Sequence, residues 1–543
     1  MALLSCAAVS TLSLAVGLPT LQAHNYFLAD DFGLVHHLHN LALSRFLPYF
    51  VSDWTEGIYG YTLDELRPVL AFSYWLDSHM FGATNAMGYH ATNVALHVLN
   101  SVLVFAIARA IVPAQTAIPL LAGAVFALLP SSAEPIAWIS GRVDSLTSAF
   151  YLGAFFGFLR FRIRHSRPWL AASLVLFAFG LFVKQTVVTF PVLILAYDAV
   201  YQPSIRSSTR HELISRYAVQ VPFLLLLVLY LGLRATLFDS ALRGERVTLE
   251  AFRVFAIRQF FYARSLLPIA YQIPDQAKVA LAVFTAGVLV ACGRWLLNRD
   301  VRDPDVRRHL LFFGVIWYGV TIAPMIVTYP SARHLYLTGA GVSIALALAL
   351  LPEWWRDASR SMVPRALSVV VFLVLSGIAL TLNIRTWIAN GVESGRLSAS
   401  LPVLLRSLPA GSTVMVGIPE TRRDAYFWYF ALPFALQKPF LPEDLYGQFA
   451  IVERPGVYCC LPHQWWAAKR STLEPILRSS GTRELTYIVP DPRDAGAWRV
   501  QKRTVSGPEL RMKIENTVGK RLESLAISTS WTDVYPLAKI LFE

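Results

Sequence analysis

Long apolar stretches alternate along the chain with short connections in which the charged residues gather. The apolar stretches fall at 3–23, 91–111, 117–136, 145–163, 168–184, 186–202, 218–237, 277–296, 310–328, 335–351 and 365–384. Each is near the roughly 20 residues that a helix needs to cross the ~30 Å hydrocarbon core of a bilayer. The pattern predicts about eleven transmembrane helices. Two connections are too long to be turns. The first, 24–90, mixes acids, histidines and aromatics with amphipathic stretches, as an interfacial helical loop would. In the second, 385–543, the transmembrane pattern stops. Strand-like runs (STVMVGI, QFAIVE, LTYIVP) alternate there with helical ones such as HQWWAAKRSTLEPILRSS, which predicts a small α/β domain. The expected architecture is an all-α polytopic membrane bundle over 1–384 and an α/β domain over 385–543.

Composition supports the membrane class. Of 543 residues, 55% are hydrophobic and 15% charged, and mean hydropathy is +0.48. A soluble domain carries roughly a quarter charged residues. The net charge of +13 would suggest nucleic acid in a soluble protein. Here the basic residues lie in short loops, so membrane orientation explains most of them and no nucleic-acid partner is expected. Four cysteines, among them Cys6, Cys292 and the adjacent Cys459 and Cys460, are too few for a disulfide framework. Residues 1–22 read as a retained first span rather than a signal peptide, since a basic start and a small-residue cleavage site are both missing.

Every second connection is basic. These are the turn near Arg109, the run RFRIRHSR at 160–167, the loop with Arg206, Arg210 and Arg216, and the stretches Arg294 to Arg308 and Arg356 to Arg365. The positive-inside rule puts them in the cytoplasm. The N-terminus is then inside, and the first loop and 385–543 are outside. One outer loop breaks the rule: 239–278 carries Arg243, Arg246, Arg253, Arg258 and Arg264, and its TLEAFRVFAIRQFFYARSLLP reads as an interfacial amphipathic helix. An anionic lipid headgroup would account for arginines there.

Chemistry-bearing residues collect on the same outer side. Asp30 and Asp31 follow the first span in NYFLADDFG, and a carboxylate there suits a general base, each acid raising its neighbour's pKa. The structural alternative is a polar helix cap. AEPIAWISGRVDSLTSAF places Glu134, Arg142 and Asp144 at a membrane boundary, where charge is expensive unless used or paired. Either Arg142 and Asp144 pair to pin a turn, or the carboxylates position substrate while Arg142 meets a phosphate. Lys184, in LFVKQTVVTFP, lies between two apolar segments with almost no loop around it, and a snorkelling lysine at a helix end is its structural alternative. Arg333, in YPSARHLYLTG, and Arg67, in LRPVLAF, lie at the same side. His36, His37 and His39 lack clean metal-ligand spacing with the nearby aspartates and read as surface residues, so no metal cofactor is expected. His90 and His97 read as packing and hydrogen bonding within the bundle.

Together the fragments LADD, LRPVLAFSYWLD, GYHATNVALHVLN, AEPIAWISGRVD, VKQTVVTFPVLILAYD, RQFFYARSLLP and SARHLYLTGAGVSI, in that order over about 20–352, resemble the GT-C superfamily. These are polytopic glycosyltransferases that use polyprenyl-phosphate sugars, and the likeness is to the membrane portion of the transmembrane O-mannosyltransferases that carry tetratricopeptide repeats, and to their bacterial relatives. The resemblance implies that Asp30 or Asp31 is the catalytic base. It also implies that Glu134, Arg142 and Asp144 line the site, that Lys184 and Arg333 face the lipid phosphate, and that Arg67 and Tyr336 bind substrate. Two positions depart from the family: Gln185 follows the lysine where Glu is usual, and Leu129-Pro130 replaces His-Pro. No tetratricopeptide pattern is present in 385–543.

The expected function is transfer of mannose or another hexose from a polyprenyl-phosphate carrier to a hydroxyl of a glycan, lipid or protein acceptor, at the outer face of the cytoplasmic membrane. The rivals are a transporter or flippase of lipid-linked glycans and an inactive envelope-assembly scaffold. A transporter should show inverted repeats and midplane charges, and neither is evident. The orientation is testable by labelling in intact cells. Cysteines introduced at 60 and 450 should react with an impermeant reagent and one at 165 should not. Labelling at 165 would overturn the orientation.

Overall fold

A computed structural model describes residues 2–55, 64–201, 217–238, 248–270, 304–350, 362–453 and 481–512, save for 420, 424, 429–430, 492, 495 and 510–511. The expected span at 277–296, the basic residues Arg206, Arg210, Arg216, Arg243 and Arg246, and Cys292, Cys459 and Cys460 lie outside the described residues, as does most of the HQWWAAKRSTLEPILRSS run.

Helices cover the other expected spans. By length and composition alone, six described helices can cross a membrane, or seven when one bent pair counts as a single span. The helix Arg142–Arg164 is long enough to cross, but it carries Arg142, Asp144, Arg160, Arg162 and Arg164. Arg167–Leu181 is shorter than a full span.

Local chemistry explains where the helices break. The apolar run over 117–136 is two helices, Ala117–Leu128 and Pro130–Ala137, bent by 52°. Pro130 lacks an N–H to continue the ladder, and its ring opposes the preceding turn. The chain then turns at Trp138–Gly141 and enters Arg142–Arg164. Gly141 is required there, because a Cβ would lie 2.4 Å from the Glu134 carbonyl oxygen. Pro68 opens the helix Pro68–Phe81, and Gly82, at φ +92°, ends it.

The stretch expected to end at 384 is longer than its apolar pattern. Helix Met362–Arg406 runs 45 residues, straight through the 384/385 boundary drawn from hydropathy. Hydrogen bonding continues where hydrophobicity stops, because the helix exchanges its lipid-type surface for contacts with the rest of the protein. Asn390 Nδ2 donates to the Arg422 carbonyl at 2.8 Å, and Glu393 pairs with Arg422 and with Arg423.

All three strand-like runs lie in one four-stranded sheet. Its order is Ala450–Glu453, Thr413–Val416, Thr482–Pro490, Trp498–Ser506, parallel except for the last pair. Val414, Val416 and Ile488 are buried and belong to the same hydrophobic core as Phe27, Phe32, Leu380 and Trp387. That core joins the sheet, the long helix and the first loop. Phe440 packs on Phe27 at 5.4 Å and on Phe32 at 4.9 Å, so the C-terminal region presses on the segment that carries Asp30 and Asp31.

Gly141→Ala should destabilise the protein by roughly 1–3 kcal/mol, the usual cost of forcing extra volume into a packed interior. Thermal unfolding in detergent checks this. An unchanged melting temperature would show that the turn relaxes without strain.

Candidate active site

The connections after the first span, after Pro130–Ala137, after Arg167–Leu181 and before Leu335–Leu350 meet around a cavity of about 190 Å³. Asp30, Arg67, Lys184 and Arg333 line it. These residues are far apart in sequence, and the alternating direction of the helices returns each to one end of the bundle.

The two acids of the LADD segment separate in role. Asp30 is half-buried on the cavity wall. Asp31 is buried and lies behind it. One carboxylate oxygen of Asp31 accepts from the Leu28 N–H at 2.9 Å. The other accepts from the Ser140 N–H at 2.9 Å and from the Ser140 hydroxyl at 2.5 Å. Asp31 therefore staples the first loop to the Trp138–Gly141 turn. Just before the pair, Ala29 has φ +47°, a left-handed conformation that costs a non-glycine residue about 1–2 kcal/mol. Fixed contacts hold it: its N–H donates to the Phe427 carbonyl at 2.8 Å, and the Ser394 hydroxyl donates to the Phe27 carbonyl at 2.7 Å.

The expected cations are arranged around one carboxylate. Asp144 pairs with Lys184 and, at 3.5 Å, with Arg333 Nε. Lys184 is thus ion-paired on the cavity wall, which replaces the snorkelling alternative. The Arg333 guanidinium lies over the Trp138 ring at 4.8 Å and donates to the Tyr329 hydroxyl. Arg67 pairs with Glu65 at 2.9 Å. Glu134 does not line the cavity, and accepts from the Ser331 hydroxyl at 2.7 Å, near Arg333 in the chain.

Arg142 and Tyr336 are placed elsewhere. Arg142 does not pair with Asp144. It is fully buried, pairs with Asp77 at 2.5 Å, and donates to Asn93 Oδ1 at 2.8 Å and to the Tyr89 carbonyl at 2.9 Å. Asn93 Nδ2 in turn donates to the Trp138 carbonyl at 2.8 Å, so Arg142 supports the turn from behind. Tyr336 is buried in the bundle, with its hydroxyl 2.9 Å from His97 Nδ1. Neither lines the cavity.

The histidines of the first loop are engaged in hydrogen bonds. His37 Nε2 lies 2.6 Å from the Tyr49 hydroxyl, and His36 Nδ1 lies 2.6 Å from the Lys438 carbonyl. Among the described residues no cluster of three His, Cys, Asp or Glu side chains is set to hold a metal. His97 hydrogen-bonds within the bundle, whereas both ring nitrogens of His90 are buried without a partner among the described residues.

The sequence reading missed several wall residues, notably Trp54, Glu65, Trp138, Tyr329 and His334. Trp138 and His334 sit inside the quoted motifs, beside the residues singled out for their charge. Trp54 is a lone indole in a polar loop. Neutral hydrogen-bonding rings near charged motif positions point to Trp138 and His334, whereas nothing in the local sequence singles out Trp54.

Gln185, the departure from the family pattern, has a defined task. Its side-chain amide donates to the Asp64 carbonyl at 3.1 Å, which also accepts from Arg234 at 3.1 Å. Asp64 has φ +55° and leads into Glu65 and Arg67. An ionised glutamate has no proton to donate there.

Burial pushes the Asp31 carboxyl up to about 7, against the opposing pull of its hydrogen bonds to Ser140 and Leu28. The unfolded chain has an ordinary carboxyl pKa near 4. Stability from this group is therefore complete below about pH 4 and is lost as the pH rises to 7, by up to roughly 4 kcal/mol at ~1.4 kcal/mol per unit. The melting temperature of the wild type should fall relative to Asp31→Asn between pH 4 and 7. A constant difference across that window would refute the assignment.

Sequence comparison agrees with the motif reading over part of the chain. No protein-family model matches. Protein O-mannosyl-transferase Tmtc1 of Drosophila melanogaster is 32% identical over 123 residues, and Tmtc2 of the same organism is 36% identical over 129 residues. Each match covers 23% of this chain and 14% of the relative, so the chain spans only a small share of either relative's length. Among solved structures, ArnT from Cupriavidus metallidurans in the apo state aligns over 89% of this chain and 92% of its own, with a TM-score of 0.46 and 11% identity. Over the segment shared with Tmtc1 and Tmtc2, the chain is similar to proteins named as O-mannosyl-transferases.

Proposed function

We propose that this protein is a membrane glycosyltransferase that moves mannose or another hexose from a polyprenyl-phosphate carrier to an acceptor hydroxyl. The observation that carries the reading is one cavity wall that holds a candidate base, Asp30, together with Arg67, Lys184 and Arg333. Similarity to proteins named as O-mannosyl-transferases supports the reaction class.

In this reading Asp30 takes the proton of the acceptor hydroxyl as its oxygen bonds to the anomeric carbon. The bond from that carbon to the phosphate oxygen breaks in the same displacement, and the sugar inverts. Charge growing on the departing phosphate meets Lys184 and Arg333, which are already in place because Asp144 holds both. A phosphate competes with Asp144 for these donors, and Arg333 can offer it a two-pronged contact. The outer face of the cytoplasmic membrane is the proposed location. Glycan, lipid and protein acceptors all fit this chemistry, which needs no resident metal.

Asp30→Asn should reduce turnover by roughly 10²–10⁴-fold, the usual worth of a general base. Donor-lipid binding should be retained, because the aspartate acts on the acceptor. Kinetics paired with equilibrium binding of the donor lipid check both parts. Near-normal turnover would remove Asp30 from the mechanism.

A further inference from the structure

Three neutral rings on the cavity wall have no task in the displacement described above. Trp54, Trp138 and His334 reach the cavity from three separate segments. They are 3%, 2% and 8% exposed. Nε1 of each indole and Nδ1 of His334 are buried without a hydrogen-bond partner among the described residues. Folded proteins keep few such atoms, because an unpaired buried polar group is destabilising. Three belong to residues that line one small cavity, where a bound ligand would complete them.

The chemistry of these atoms narrows the ligand. An indole N–H can only donate, so it faces an acceptor oxygen. His334 Nδ1 donates or accepts according to its tautomer. A sugar hydroxyl serves either partner, whereas a phosphate oxygen can only accept. The wall already supplies Arg67, Lys184 and Arg333 for an anion, so neutral donors are left over for neutral oxygens. Trp138 is also held rigidly. Its ring stacks on Trp387 at 5.5 Å, packs on Tyr426 at 4.9 Å, and carries the Arg333 guanidinium on its face.

We propose that Trp54, Trp138 and His334 form a sugar-reading subsite that hydrogen-bonds the ring hydroxyls of a neutral hexose, beside the phosphate position at Lys184 and Arg333. The inference rests on the reading of this cavity as the site for a lipid-phosphate sugar. It adds that the sugar itself is bound, and by which atoms.

The test uses the purified full chain in lipid nanodiscs. It is titrated with bare polyprenyl phosphate, with its mannosyl, glucosyl and galactosyl forms, and with analogues of the tightest-bound form that each lack one ring hydroxyl. At least one hexosyl lipid should bind roughly tenfold tighter than the bare phosphate, and removal of a hydroxyl that the subsite reads should erase most of that gain. Trp54→Phe and Trp138→Phe should each weaken the hexosyl lipid about five- to tenfold and lose discrimination against one deoxy analogue, and Trp54→Phe, which does not touch Arg333, should leave bare polyprenyl phosphate within about twofold. Equal weakening of bare and hexosyl lipids would mean that the indoles serve the phosphate or the packing, and would overturn the subsite. If bare phosphate binds and no hexose improves it, the subsite fails while the lipid-phosphate reading stands. If neither lipid binds, the lipid-phosphate reading fails and takes the subsite with it. Should the tryptophan variants not fold, the deoxy series on the wild type decides, and uniform affinity across it would overturn the proposal.

Discussion

The Asp31 carboxylate accepts from Leu28 beside it and from Ser140, 109 positions further along the sequence, and the candidate site depends on that staple. On one side it fixes the segment that carries Asp30. On the other it fixes the turn that carries Trp138 and leads into Asp144. A buried carboxylate is costly unless hydrogen-bonded, so the contact rewards one arrangement of the two segments strongly. Ala29 in a left-handed conformation fits the same picture, since strain persists only where the surroundings over-determine the backbone.

Behind the staple, buried charges are shared rather than isolated. Asp144 serves Lys184 and Arg333, while Asp77 serves Arg142. Removing one member of such a pair leaves an uncompensated charge, which costs far more than the pair contributes. Arg142 illustrates the consequence. Its donors go to Asp77, Asn93 and Tyr89, so its positive charge organises the helix packing under the cavity and is not on the wall.

The segment that links the strands 413–416 and 450–453 also takes part in this arrangement. Phe440 packs on Phe27 and Phe32, and the Phe427 carbonyl accepts from the Ala29 N–H. The first loop is thus held by this segment as well as by the Trp138–Gly141 turn. That linking segment has a structural role in holding Asp30.

Hydropathy alone located the apolar helices among the described residues, because a bilayer-length apolar run is a property of the local sequence, but not shorter ones such as Asp31–Leu38 and Pro68–Phe81. The run ending at 384 shows the limit: its helix continues to Arg406, since hydrophobicity reports contact with lipid and not backbone hydrogen bonding. The strand runs at 413–416, 450–453 and 482–490 were legible from local alternation, but their order in the sheet was not. Charge at a membrane boundary drew attention to Asp30, Lys184 and Arg333, because an ion there is expensive unless it has a use. The same reasoning could not separate Asp30 from Asp31, or Arg333 from Arg142. Both members of each pair carry the same charge in a similar local sequence. Only the partners supplied by distant segments, Ser140 for Asp31 and Asp77 for Arg142, decide which member faces the cavity and which is consumed in holding it open.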